Sequence, residues 1–141
     1  MNDLAQRRAR IARVRQVQHL QAVSEAASAE QKLVQLEGNA ARLAALRTGL
    51  SVAPGATSGA ALGNMSELAQ RLDQVRAGLD DAIGQARHAA AARAGERLRT
   101  DIARESAERL EHRAVAALQR QIEDRMLAHV RPRPTKEISN G

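Results

Sequence analysis

Of the 141 residues, 61 are apolar, but 30 of these are alanine, and tryptophan, tyrosine, phenylalanine and cysteine are absent. The 31 large aliphatics cannot fill a thick rounded core without aromatic help, and a disulfide scaffold or a Cys-ligated zinc site is excluded. The formal charge of +6 comes from 20 Arg and two Lys against 16 acids, with +4 in residues 1–20 and +2 in residues 131–141, so the ends of the sequence suit an acidic partner: protein, lipid or nucleic acid.

Taken in chain order, the first predicted element is a helix over about residues 3–48, a stretch without proline and dense in Ala, Leu, Arg, Gln and Glu. It opens on the basic cluster Arg7, Arg8, Arg10, Arg13 and Arg15, with no apolar run of the kind a secretory signal requires. A loop is expected over about 49–65, where Gly, Ala, Ser and Pro replace charge. Gly49 can end the first helix, and Asn64 with Glu67 has the spacing of a capping box. The second helix is predicted over about 66–129, stopped by Pro132 and Pro134. The tail, 131–141, reads as disordered. No strand pattern and no membrane-spanning run occurs, so the default location is the cytoplasm.

Neither helix can hide its apolar stripe alone. The first carries Ala22, Ala26, Ala29, Leu33, Leu36, Ala40, Leu43, Arg47 and Leu50 at alternating spacings of three and four. Met65, Leu68, Leu72, Val75, Leu79, Ala82, Ala86 and Ala89 repeat the pattern on the second. Folding back at the loop sets Leu50 against Met65, Leu43 against Leu72, Leu36 against Leu79 and Leu33 against Ala82. The fold class predicted is all-α: two long helices in one antiparallel coiled-coil hairpin over 1–130. Farther from the loop the register meets Ala22 with Arg93 and a polar layer of His19 with Glu96. Beyond it the stripe passes to Leu4, Ile11 and Val14 against Leu98, Ile102 and Leu110.

In that register residue 3 lies near residue 112, which leaves about 112–129 without an intrachain partner. This segment carries an apolar row spaced by four, Ala114, Leu118, Ile122 and Met126. An unpaired helix with such a row is a protein-docking surface.

Catalytic chemistry finds little support. His19, His88, His112 and His129 are too scattered for a metal motif, and the Gly-rich segment 55–63 lacks the lysine of a phosphate-binding loop. No metal, cofactor or small-molecule substrate is expected. The carboxylates fall near arginines at helical spacing, as on a solvated charged face. The arginine cluster could meet phosphates, but no aromatic side chain is available to stack on bases, which disfavours nucleic acid.

The opening Gln6-Arg-Arg-Ala-Arg-Ile-Ala-Arg-Val-Arg-Gln-Val-Gln-His-Leu-Gln-Ala22 resembles the start of the bacterial flagellar export protein FliJ family. The stretches 108–113 and 120–128 look like that family's charged C-terminal helix, and the length, the hairpin and the longer second helix agree. The likeness is one of pattern over nearly the whole chain, shared with the stalk proteins of injectisome type III secretion. It implies a rod similar to the central stalk of rotary ATPases, with its terminal end in the ring of the export ATPase hexamer. It also implies contacts with the export gate protein and export chaperones, at the inner face of the cell membrane in the flagellar basal body. Carried onto this sequence, Arg7, Arg8, Arg10, Arg13, Arg15, Leu118, Ile122 and Met126 would face the ATPase ring. The expected function is therefore a non-enzymatic coupling protein of type III export. The alternatives are a basic nucleic-acid-associated helical protein and a generic coiled-coil adaptor that dimerises through the Leu118–Met126 row.

Overall fold

A computed structural model describes residues 2–52 and 59–130. It contains two helices, α1 (Asn2–Val52) and α2 (Gly59–Val130), and no strand among the described residues. Both are built from proline-free sequence rich in strong helix formers, which is why they run uninterrupted. Both also run past their expected ends. Gly49 lies within α1, and Asn64 and Glu67 lie within α2, where Glu67 pairs instead with Arg71 at 3.3 Å. The capping signals are overridden because Ala60, Ala61 and Leu62 propagate a helix well, and one interior glycine costs only about 1 kcal/mol. The centre of the expected loop and the tail after Val130 lie outside the described residues.

The helices form two compact units rather than one: the first takes the described residues up to 19 and from 100 onward, the second those between 20 and 99. In each the helices run antiparallel. The fold is all-α, a hairpin of two long helices.

In the second unit the α1 stripe falls where its spacing predicts. Ala22 and Ala26 are buried, and Ala29, Leu33, Leu36, Ala40, Leu43, Arg47 and Leu50 are half-buried. The α2 stripe differs from expectation. Leu68, Val75 and Ala89 are exposed, and Ile83 and Ala86 are buried with Ala90 half-buried. The register slides by about one turn as a result: Glu25 reaches Arg93, three positions beyond its expected neighbour Ala90. The reason lies in Ile83. Turning α2 so that this isoleucine replaces Ala82 in the seam buries about three more carbons, worth on the order of 2 kcal/mol.

The first unit has a seam of alanines. Ala5, Ala12 and Ala107 are its buried apolar residues, while Leu4, Ile11, Val14 and Ile102 are exposed, contrary to the stripe expected there. Small side chains in the seam let two helices approach closely, and the bulkier neighbours are displaced to the flanks. His19 meets Thr100, with 3.2 Å between Nδ1 and Oγ1, four positions beyond the expected Glu96. No large side chain among the described residues is fully buried.

Candidate functional site

With a heptad seam, each helix pair has two flanks, and in the first unit the two are chemically opposite. On one flank Arg104 lies half-buried against its own helix. It donates from Nη2 to Asp101 at 2.7 Å and from Nη1 to both carboxylate oxygens of Glu108, at 3.1 and 3.2 Å. These bonds, Asp101's first, raise the guanidinium's pKa above its ordinary value. The Nε of Arg104 is buried without a partner. His19 comes within 3.7 Å of Asp101 on the same side, and Arg109 faces Glu105 at 3.8 Å. Asp101, Glu105 and Glu108 are thus each engaged by a basic group.

The other flank is an open apolar groove. One stretch is lined by Leu4 and Arg7 of α1 with Ala114, Ala117 and Leu118 of α2. The next is lined by Arg8, Ile11 and Arg15 with Ala103, Ser106, Ala107 and Leu110. Leu4 and Ile11 stand seven residues apart, as do Ala103, Leu110 and Ala117, so both stretches lie along one flank.

The arginine cluster divides accordingly. Arg7, Arg8 and Arg15 border the groove, while Arg10 and Arg13 are exposed elsewhere on α1. Arg15 donates to Gln18 at 3.2 Å. None of the five makes an ion pair among the described residues.

The expected overhang is shorter than the sequence register implies. Ala114 and Leu118 are half-buried and line the groove with Leu4, so they have α1 partners and are not free. The slide in register accounts for this, since it carries the start of α1 further along α2. From Ile122 to Val130 every residue is exposed. Ile122 and Met126 are therefore open as expected, and the sequence reading missed Leu127 and Val130, 63% and 75% exposed. Their signal was present: Ile122, Met126 and Val130 are spaced by four, with Leu127 beside them.

The second unit has a groove of its own near the helix ends 52 and 59, about 730 Å³ in volume and lined by Leu46, Leu50, Leu68 and Leu72. Ion pairs again stand apart from it: Arg47 with Asp73 at 3.2 Å and Arg87 with Glu37 at 3.4 Å. Among the described residues, no group of three or more His, Asp or Glu side chains could hold a metal ion. Nor is any described helix long and apolar enough to cross a membrane. Compared with protein-family models, curated proteins and solved structures, the chain matches none.

Proposed function

We propose that the chain is a non-enzymatic coupling protein of a flagellar-type protein export apparatus, similar to the FliJ family. In this reading the end carrying residues 2–19 and 100–130 docks in the ring of the export ATPase, at the inner face of the cell membrane. The chain would link that ring to the export gate and to export chaperones. The observation that carries it is the exposed end of α2: Ile122, Met126, Leu127 and Val130 present aliphatic surface past the last residue, Gln121, that lines a groove with α1. The arginines at the start of α1 supply a basic surround for an acidic partner. An exposed aliphatic row on a long helix is the kind of surface another protein covers. Two continuous helices also suit the transmission of displacement better than chemistry, because open grooves between helices do not exclude water from a reacting group.

The test is capture of a purified flagellar export ATPase by the full-length chain. It is repeated with Ile122→Gln, Met126→Gln and Leu127→Gln together. The expected result is capture by the wild type and a loss of at least roughly tenfold in the triple variant, as when central apolar anchors are removed. Capture unaffected by the substitutions would remove the α2 end from the mechanism, and no capture by the wild type would overturn the reading.

A further inference from the structure

The apolar groove of the first unit carries an inference that shares the α1 arginines with the export reading but does not use the α2 end. Its floor is aliphatic: Leu4 and Ile11 from α1, and Ala103, Leu110 and Ala117 from α2. It extends from Asp3 to Arg15 along α1, which at 1.5 Å per residue is about 18 Å, or three helical turns.

Its rim is basic along α1, and two further arginines stand outside the lining on the same side of α2. Arg7, Arg8 and Arg15 line it from α1. On α2, Ser106 lines it, and Arg113 and Arg120 follow Ser106 at intervals of seven, which brings them to the same side of the helix. Neither these two nor the three of α1 forms an ion pair among the described residues. Asp3, at one end, is the single carboxylate among the lining residues. Asp101 and Glu108 are held by Arg104 on the opposite flank, and Glu111, half-buried one turn from Ala107 and Ala114, makes no ion pair with the rim among the described residues.

We propose that this flank seats an acidic amphipathic helix of about three turns from a partner protein, adding a third helix to the pair. Its apolar side chains, spaced i, i+3 or i+4, i+7, lie between Ile11 and Leu110, and its flanking carboxylates meet the arginines of the rim. Charge decides against the other occupants. A second copy of this chain presenting the same flank would set arginines against arginines. A nucleic acid satisfies the cations but leaves the aliphatic floor uncovered, with no aromatic side chain to stack a base. A bilayer surface favours aromatic anchors on the apolar face, which this chain lacks.

The experiment uses the full-length chain and a labelled, stapled helical peptide of about 14 residues, long enough to span the groove. Leucines occupy one stripe and glutamates flank it, and a twin peptide has every glutamate replaced by lysine. Fluorescence anisotropy should show the glutamate peptide binding at least roughly tenfold more tightly than its twin, with affinity falling as salt rises. Ile11→Gln with Leu110→Gln should weaken binding about tenfold, as loss of central apolar contacts does. Ile102→Gln, at an exposed site outside the groove, should leave it unchanged. Arg7→Gln with Arg15→Gln, both exposed and harmless to folding, should narrow the gap between the two peptides. Circular dichroism checks that each variant keeps its helices. Equal binding of the lysine twin, absence of binding by the glutamate peptide, or indifference to both pairs of substitutions would overturn the proposal. So would displacement of the peptide by an equal charge of single-stranded oligonucleotide, which would assign the flank to polyanions.

Discussion

The Nη1 of Arg93 stands 2.6 Å from the Glu25 carboxylate, a contact between α2 and α1 at the level of Ala22 and Ala26. In the sequence register Arg93 meets only Ala22; in the structure its head has a carboxylate partner. Both side chains are close to half exposed, so solvent screens the pair. A double-mutant cycle with Glu25→Ala and Arg93→Ala should give a coupling of about 0.5 kcal/mol, falling toward zero in high salt. A coupling above about 2 kcal/mol would mean that the pair is far drier than its exposure indicates.

Cysteine pairs can report the register of the first unit directly, since the chain has no native cysteine. His19 and Thr100 touch, so His19→Cys with Thr100→Cys should oxidise readily to an intramolecular disulfide. The pair His19→Cys with Glu96→Cys, which the sequence register favours, should stay reduced under the same conditions. Reversal of this order on a non-reducing gel would return the helices to the unshifted register.

How the register went astray is itself informative. The α1 stripe from Ala22 to Leu50 is legible because Leu33, Leu36, Leu43 and Leu50 stand three or seven apart, with Ala40 and Arg47 at the intervening positions. On α2 the same alternation runs through Ala82, Ala86 and Ala89, and a shifted one runs through Ile83, Ala86 and Ala90. Period alone does not choose between them; the difference in buried volume at Ile83 does. Below Leu20 the misreading has the opposite cause. The large residues Leu4, Ile11 and Val14 were placed in the seam because they are large, whereas Ala5 and Ala12 take it because closely approaching helices leave room only for a methyl group. The arginine cluster and the open end of α2 could be read from the sequence. The groove could not, because it depends on which flank the displaced aliphatics occupy.

Ile83 should carry an outsized share of the second unit's stability. It is 8% exposed and is the largest of the buried apolar side chains. Ile83→Ala should cost about 2–3 kcal/mol in urea unfolding, and Ala82→Ser at the half-buried neighbour well under 1 kcal/mol. Comparable losses at the two sites would restore Ala82 to the seam.

The alanine seam of the first unit should resist enlargement. Ala107→Leu introduces three carbons where the residue is only 6% exposed. The expected loss is about 1–3 kcal/mol, read by thermal or urea unfolding. A stabilised variant would mean that the seam is looser than its burial implies.

Gly38 and Gly84 lie inside the helices, and a Cβ added at either meets no atom within 4 Å. Replacing each with alanine restricts the unfolded chain and removes a poor helix former at no steric cost. Each substitution should therefore stabilise the protein by about 0.5–1 kcal/mol, and the two should add, since neither added Cβ meets a neighbouring atom. A decrease in melting temperature for either would indicate that the glycine serves a contact.

Arg104 offers a sharper test of the charged flank, because its partners and its orphaned Nε pull in opposite directions. The bonds to Asp101 and Glu108 raise its pKa. A raised cation pKa contributes stability at every pH below the group's ordinary value and loses it only as pH climbs through the raised one. For an arginine that window lies above any working pH, so this contribution should be flat through neutrality. Arg104→Met keeps an unbranched, half-buried stem and removes both the charge and the unpartnered Nε, leaving two carboxylates that water can reach. Asp101→Asn with Glu108→Gln instead leaves the half-buried guanidinium with its strongest acceptors gone, and takes the carboxylate from His19 as well. The double variant should unfold at a lower urea concentration than Arg104→Met, because stranding a charge is worse than removing it. The opposite order of midpoints would show that Arg104 is solvated well enough to need no partner.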